Sequence, residues 1–255
     1  MDTVLADGHG HQFPLRNLMA HLVPLSPDTD EYHEFLIAHI DSSVAAISGP
    51  PVTELSDAEW FDRVRIRMLP AGARDELSAT YAQNLTPGLE VVLCIDSPTS
   101  ISYVSDADLA GRDVRASFDA GFRNVLAEPV DENMEIAPGV HMLAGDSMFM
   151  ATKAIGLGSL AGSVLPEAPH GVIVGMPHRH LLLAHAVTGA ASVTAIGELA
   201  TIVAQQAGDD APGGPLSSAV YFWKDDVFEN VGGPDESGTI QIRPTDRLMA
   251  VLNEG

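Results

Sequence analysis

Three short segments gather residue types that do chemistry, and each competes with a plainer reading. Asp7-Gly8-His9-Gly10-His11 contains a His-x-His pair, the opening of a ligand set that some metal-dependent hydrolases build. Such a set also needs a later lysine, two further histidines and an aspartate spread around a (β/α)8 barrel. The chain has only Lys153 and Lys224 and no barrel rhythm, so a turn with histidines beside it accounts for these residues. Gly145-Asp146-Ser147-Met148 has the form of a serine-hydrolase nucleophile block. Serine attacks only when a histidine takes its proton and an acid orients that histidine. Here the block lies past the middle of the chain and no histidine follows His185. It reads as a helix start capped by Asp146 or Ser147.

The third group, His170, His178, His180 and His185, is the most informative. Two apolar runs, Gly171-Val-Ile-Val-Gly-Met176 and His180-Leu-Leu-Leu-Ala-His185, flank Pro177-His178 and predict a β-hairpin turning there. That register sets His170 opposite His185, and cross-strand partners lie about 4.5–5.5 Å apart. The pair could share a metal or repel when protonated, but histidines at a sheet margin explain it without either, and no metal is expected. His178, Arg179 and His180 project from the tip, where exposed residues serve recognition, and form the candidate binding site. No catalytic residue follows from the sequence. Gly156-Leu-Gly158-Ser-Leu-Ala-Gly162 is no dinucleotide fingerprint, because its third glycine falls one place late inside a helical pattern. No P-loop occurs, so no cofactor is expected.

The elements that would position these residues alternate without a βαβ beat. A hairpin is expected around 3–15, then a short helix over 16–22. A stronger helix follows Ser26-Pro27-Asp28, with Phe35, Leu36, Ile40, Val44 and Ile47 at helical spacing. Trp60, Val64 and Met68 share a stripe and predict another helix. Strands are expected at 89–95, 101–104 and 134–144, and helices at 113–126, 148–165 and 190–207. Terminal strands follow around 219–223 and 240–242, with a short C-terminal helix. The fold class is therefore α+β: mixed or antiparallel sheets with packed helices, not a doubly wound sheet or a (β/α)8 barrel. The polar, proline-bearing stretch 126–133 divides the chain into 1–127 and 134–255, or lies within one continuous domain.

Charge bounds the partners. Thirty-five acids face thirteen bases, a formal net charge of −22. Such a surface repels nucleic acid and anionic lipid and attracts basic proteins. The apolar stretches are too short to span a bilayer, and no basic, apolar leader opens the sequence. Cys94 is the sole cysteine. These features predict a cytoplasmic protein that binds neither nucleic acid nor membrane.

Several segments resemble, in order and spacing, a bacterial family that includes the YtpQ proteins of Bacillus. They are Leu15-Arg-Asn-Leu18, Ile66-Arg-Met-Leu-Pro70, Leu89-Glu-Val-Val-Leu-Cys-Ile-Asp96, Ala120-Gly-Phe-Arg-Asn-Val-Leu126, Gly145-Asp146, Gly171-Val-Ile-Val-Gly-Met-Pro177 with Leu181-Leu-Leu183, and Pro215-Leu-Ser217. Where the family's turn has a Pro-x-Arg-Asp pattern, this chain has Pro177-His178-Arg179-His180, with histidine in place of the acid. The resemblance implies a mixed α/β protein and carries no reaction with it. The functional expectation is a non-enzymatic protein whose acidic face binds a basic protein, as an immunity protein binds a nuclease-like toxin. The alternatives are a hydrolase using the histidine cluster and a housekeeping protein with a merely acidic surface.

Overall fold

A computed structural model describes residues 4–6, 12–14, 18–19, 22–48, 51–98, 100–109, 111–208, 211 and 214–254. Strands β1 (Val4–Ala6) and β2 (Gln12–Pro14) pair antiparallel. The turn expected between them, with His9 and His11, lies outside the described residues, as does most of the helix expected over 16–22. Helix α1 spans Asp30–Ser48 and is capped by Thr29, whose Oγ1 accepts the Tyr32 N–H at 3.3 Å. Its Ile37, Ile40 and Val44 remain 58%, 50% and 54% exposed.

Helix α2 (Asp57–Arg63) opens with a reciprocal capping box between Ser56 and Glu59. It stops short of the helix that Trp60, Val64 and Met68 predict, because Val64–Pro70 is strand β3. A spacing of four fits a helical stripe and a strand's alternation equally well. Val64, Ile66 and Met68 line the buried face, while Arg65 and Arg67 point the other way. Strands β4 (Gln83–Thr86), β5 (Leu89–Ser97) and β6 (Ser100–Tyr103) complete this sheet. Strand β3 runs along one side of β5, and β4 and β6 divide the other. The expected helix is present as α3 (Val114–Ala127), capped by Asp113. Gly121 lets α3 lie against β3, since a Cβ there would come within 2.8 Å of the Ile66 nitrogen. Trp60, Leu93, Ile95 and Val125 fill the core between them.

Seven strands form the second sheet: β7 (Glu132–Ala137), β8 (Val140–Ala144), β9 (Val172–His178), β10 (Leu181–Ala186), β11 (Val220–Lys224), β12 (Val227–Pro234) and β13 (Ile240–Ile242). Their order is β13-β12-β11-β9-β10-β8-β7, antiparallel throughout. With both sheets antiparallel, the fold is α+β. One face is covered by α4 (Ser192–Gln206) and α5 (Asp246–Asn253). On the other, Met68 and Leu89 of the first sheet join Leu143, Val174, Met176 and Trp223 of the second in one core. No helix among the described residues is long and apolar enough to cross a membrane.

Two expectations need correction. The helix predicted over 148–165 is a 3-10 segment, Ala151–Gly156, followed by a single helical turn, Leu157–Leu160. Glycines 156, 158 and 162 weaken an α-helix by about 1 kcal/mol each, and Gly162 turns away with φ +77°. The β9–β10 hairpin exists, but it turns at Arg179-His180 and not at Pro177-His178. His178 pairs with Leu181, and His185 lies opposite Ile173, not His170. Proline cannot donate a ladder bond and tolerates a strand chiefly at a bulge. The register slips at this point, with Met176 and Pro177 facing Leu182.

Candidate functional site

Three consecutive residues of the 3-10 segment bring β3 and the hairpin tip together. The Ala151 N–H donates to the Arg179 carbonyl at 3.1 Å. Thr152 Oγ1 accepts the Met68 N–H at 3.1 Å. Lys153, 1% exposed, donates from Nζ to the carbonyls of Val125, Leu126 and Glu128 at 2.9, 3.0 and 2.6 Å. An N–H left over at the start of a helical segment thus holds the hairpin loop, and a cation closes the C-terminal end of α3. Arg67, next to Met68, and Arg179 become neighbours.

Arg67 is 7% exposed. Its guanidinium lies over the Tyr103 ring, 5.4 Å from the centroid, and among the described residues it makes no hydrogen bond or ion pair. Burial first, and the like charge of Arg67 second, hold the Arg179 guanidinium below its usual range, with Tyr103 opposing. Arg179 Nε donates to His180 Nε2 at 2.9 Å, and His180 Nδ1 faces the Gly145 carbonyl at 3.2 Å. Arginine can only donate, so the His180 ring is neutral with its proton on Nδ1. The His180 N–H donates to His178 Nδ1 at 3.4 Å, which leaves the His178 proton on Nε2. Burial, then His180 and Arg179, push His178 down to about 4. Burial and Arg179 likewise hold His180 below the usual histidine range.

Of the predicted tip residues, His178 does not project: it ends β9 and is only 7% exposed, while Arg179 and His180 form the half-buried turn. Arg67 and Tyr103, which sequence reasoning missed, lie beside Arg179. The alternation Val64-Arg-Ile-Arg-Met68 was the available signal for Arg67. The other two histidines lie elsewhere. His170 Nδ1 lies 3.8 Å from Glu254 Oε2. His185 Nδ1 meets the Gly139 carbonyl at 2.7 Å, beside a separate cleft of about 390 Å³ that Glu198 also lines. Among the described residues no three His, Cys, Asp or Glu side chains form a group that could hold a metal.

A cleft of about 650 Å³ adjoins the tip, lined by Arg65, Asp96, Glu128, Asp146 and Ser147 among others. Arg65 Nε donates to Glu128 Oε1 at 3.0 Å, and its Nη2 lies 3.9 Å from Asp96 Oδ2. Burial pushes Asp96 up, against the pull of Arg65. Ser147 does not cap an α-helix. Its Oγ accepts the Phe149 N–H at 3.2 Å and donates to Glu128 Oε2 at 3.3 Å. With its proton directed to Glu128, and the His180 lone pair committed to Arg179, Ser147 and His180 form no nucleophile–base pair. The tip instead presents hydrogen-bond donors. Comparison with known protein families, curated proteins and solved structures gave no match. The resemblance to the YtpQ-like family rests on the sequence segments alone.

Proposed function

We propose that the protein is a non-enzymatic binding protein whose acidic surface engages a basic protein partner, in its sharpest form an immunity-like inhibitor of a nuclease-like toxin. The observation that carries the reading is the disposition of charge. Several of the chain's few cations turn inward: Lys153 and Arg67 are buried, Arg65 meets Glu128, Arg74 meets Glu90, and Arg112 stacks on Trp60, while Arg115, Arg123 and Arg243 are exposed. Most of the described acids are exposed, Glu90 being a buried exception, and the chain's net charge is −22. Such a field raises the encounter rate with a cationic partner, and a polyanion-binding toxin presents one. Helix α1 supplies a docking face of matching chemistry. Exposed Asp30, Glu31, Glu34 and Asp41 flank one side of the exposed Ile37, Ile40 and Val44, which suits a basic surface with an adjoining apolar patch. The hydrogen bonds of Ser147 and His180 weigh against the hydrolase alternative.

The test isolates a partner with the full chain and measures its association kinetics from about 0.05 to 0.5 M salt, over which the Debye length shrinks roughly threefold. The on-rate is expected to fall steeply while the off-rate changes little. Neutralising Asp30, Glu31, Glu34 and Asp41 together should lower the on-rate at low salt by about tenfold. An acidic partner, or a salt-independent on-rate, overturns the proposal.

A further inference from the structure

We infer that Arg67, Arg179, Tyr103 and His178 form a receptor for an oxyanion, the phosphate or carboxylate group of a small molecule. The inference goes beyond binding of a basic protein and stands without it, since a socket of this sign would repel such a partner.

The first ground is the donor set. Arg67 has none of its donors engaged, Arg179 has only Nε engaged, and His178 retains an Nε2–H. The Tyr103 hydroxyl has no hydrogen-bond partner among the described residues. Neither guanidinium can accept a hydrogen bond, and the His178 acceptor nitrogen already faces the His180 N–H. A ligand at this place must therefore bring acceptor atoms. Guanidinium forks match the paired oxygens of phosphate and carboxylate, which a point-charge cation would not.

The second ground is what the cluster lacks. The chain carries thirty-five acids, and two residues along the same strand Arg65 takes two of them, Glu128 and Asp96. Among the described residues no carboxylate forms an ion pair with Arg67 or Arg179, and the acid that feels the Arg67 charge, Asp96, feels Arg65 more strongly. An arginine that is only 7% exposed, beside a like charge, is unfavourable unless something compensates it. Arg179 and His180 are only half-buried, so a small anion can reach the cluster from their side and supply that compensation.

The third ground is preorganisation. Tyr103 holds Arg67 by a cation–π contact, the neighbouring Met68 N–H is fixed to Thr152, the Arg179 carbonyl is fixed to Ala151, and His180 pins Nε of Arg179. The side chains are held before any ligand arrives, which reduces the entropy lost on binding.

The experiment titrates the full-length protein calorimetrically with inorganic phosphate and, separately, with malonate, and follows thermal stability in parallel. Saturable binding below about 10 mM is expected for one of them, and which one identifies the group. Arg179→Gln and Arg67→Met should each weaken it by at least about tenfold. Arg115→Gln, a change to an exposed residue of α3, should leave it intact. Without ligand, Arg67→Met should melt no lower than the parent, because an unpaired buried charge has been removed. The inference is overturned if neither anion binds saturably, or if Arg179→Gln binds as the parent does. It is also overturned if Arg67→Met unfolds while Arg179→Gln keeps full affinity, because Arg67 would then be structural.

Discussion

Arg65 and Arg67 stand on the same strand and the same face, two residues apart, and their surroundings are opposite. Arg65 reaches Glu128, Asp96 and the Asp62 carbonyl, so its charge is matched on every side. Arg67 has an aromatic ring and another arginine for neighbours, and shares the field of Asp96 without an ion pair to it. Lys153 belongs with Arg65, its ammonium divided among three carbonyls. The difference separates cations that hold the fold together from cations held ready for something outside it. Burial alone does not distinguish them, since Lys153 and Arg67 are both almost wholly enclosed.

The contrast predicts a graded series of stability changes. Lys153→Met should be the most damaging, at about 3–5 kcal/mol in chemical denaturation, because three carbonyls at the end of α3 lose their donor together. A loss under about 1 kcal/mol would show that water replaces the ammonium freely. Arg65→Met should cost about 2 kcal/mol by stranding Glu128, whose other oxygen is held only by Ser147.

Acid comes next. Because His178 is pushed from an ordinary 6.5 down to about 4, the unfolded chain binds the extra proton between those values. The contribution of a neutral His178 is complete above pH 6.5, is lost as pH falls through the window, and is constant below about 4. Between pH 7 and pH 5 the parent should lose about 2 kcal/mol relative to His178→Gln. Parallel pH profiles for the two proteins would refute the assignment. Arg67→Met should show the smallest effect, from nothing to a gain of about 1 kcal/mol. A loss as large as that of Arg65→Met would erase the distinction between the two arginines.

How far this arrangement could be read from sequence depends on the kind of signal. Leu89–Ser97 was legible as a strand because a long apolar run buried on both faces leaves little alternative. Val114–Ala127 was legible from the helical spacing of its apolar residues, and the Asp113 cap was not read. Strand β3 was not, because Trp60, Val64 and Met68 satisfy two periodicities and only the intervening arginines break the tie. The hairpin at 171–185 was visible, but its register depended on where Pro177 could be accommodated, and that shifted every expected histidine pairing. Met148 onward read as helix from composition alone, whereas Ala151, Thr152 and Lys153 answer to partners on three other elements. The tip residues His178, Arg179 and His180 were picked out because they follow a proline at a turn. Arg67 and Tyr103 are brought to them by tertiary bonds that no local pattern records.

Cys94 lies on β5 with no exposed surface, its thiol pushed up to about 12 by burial, and it is the chain's single cysteine. An alkylating reagent meets a reactive thiolate only when the sheet opens. With reagent in excess, the rate of mass gain therefore measures how often the four-stranded sheet comes apart, in unmodified protein and without a dye. The same tube, with phosphate or malonate added, would report whether filling the socket above that sheet slows its opening.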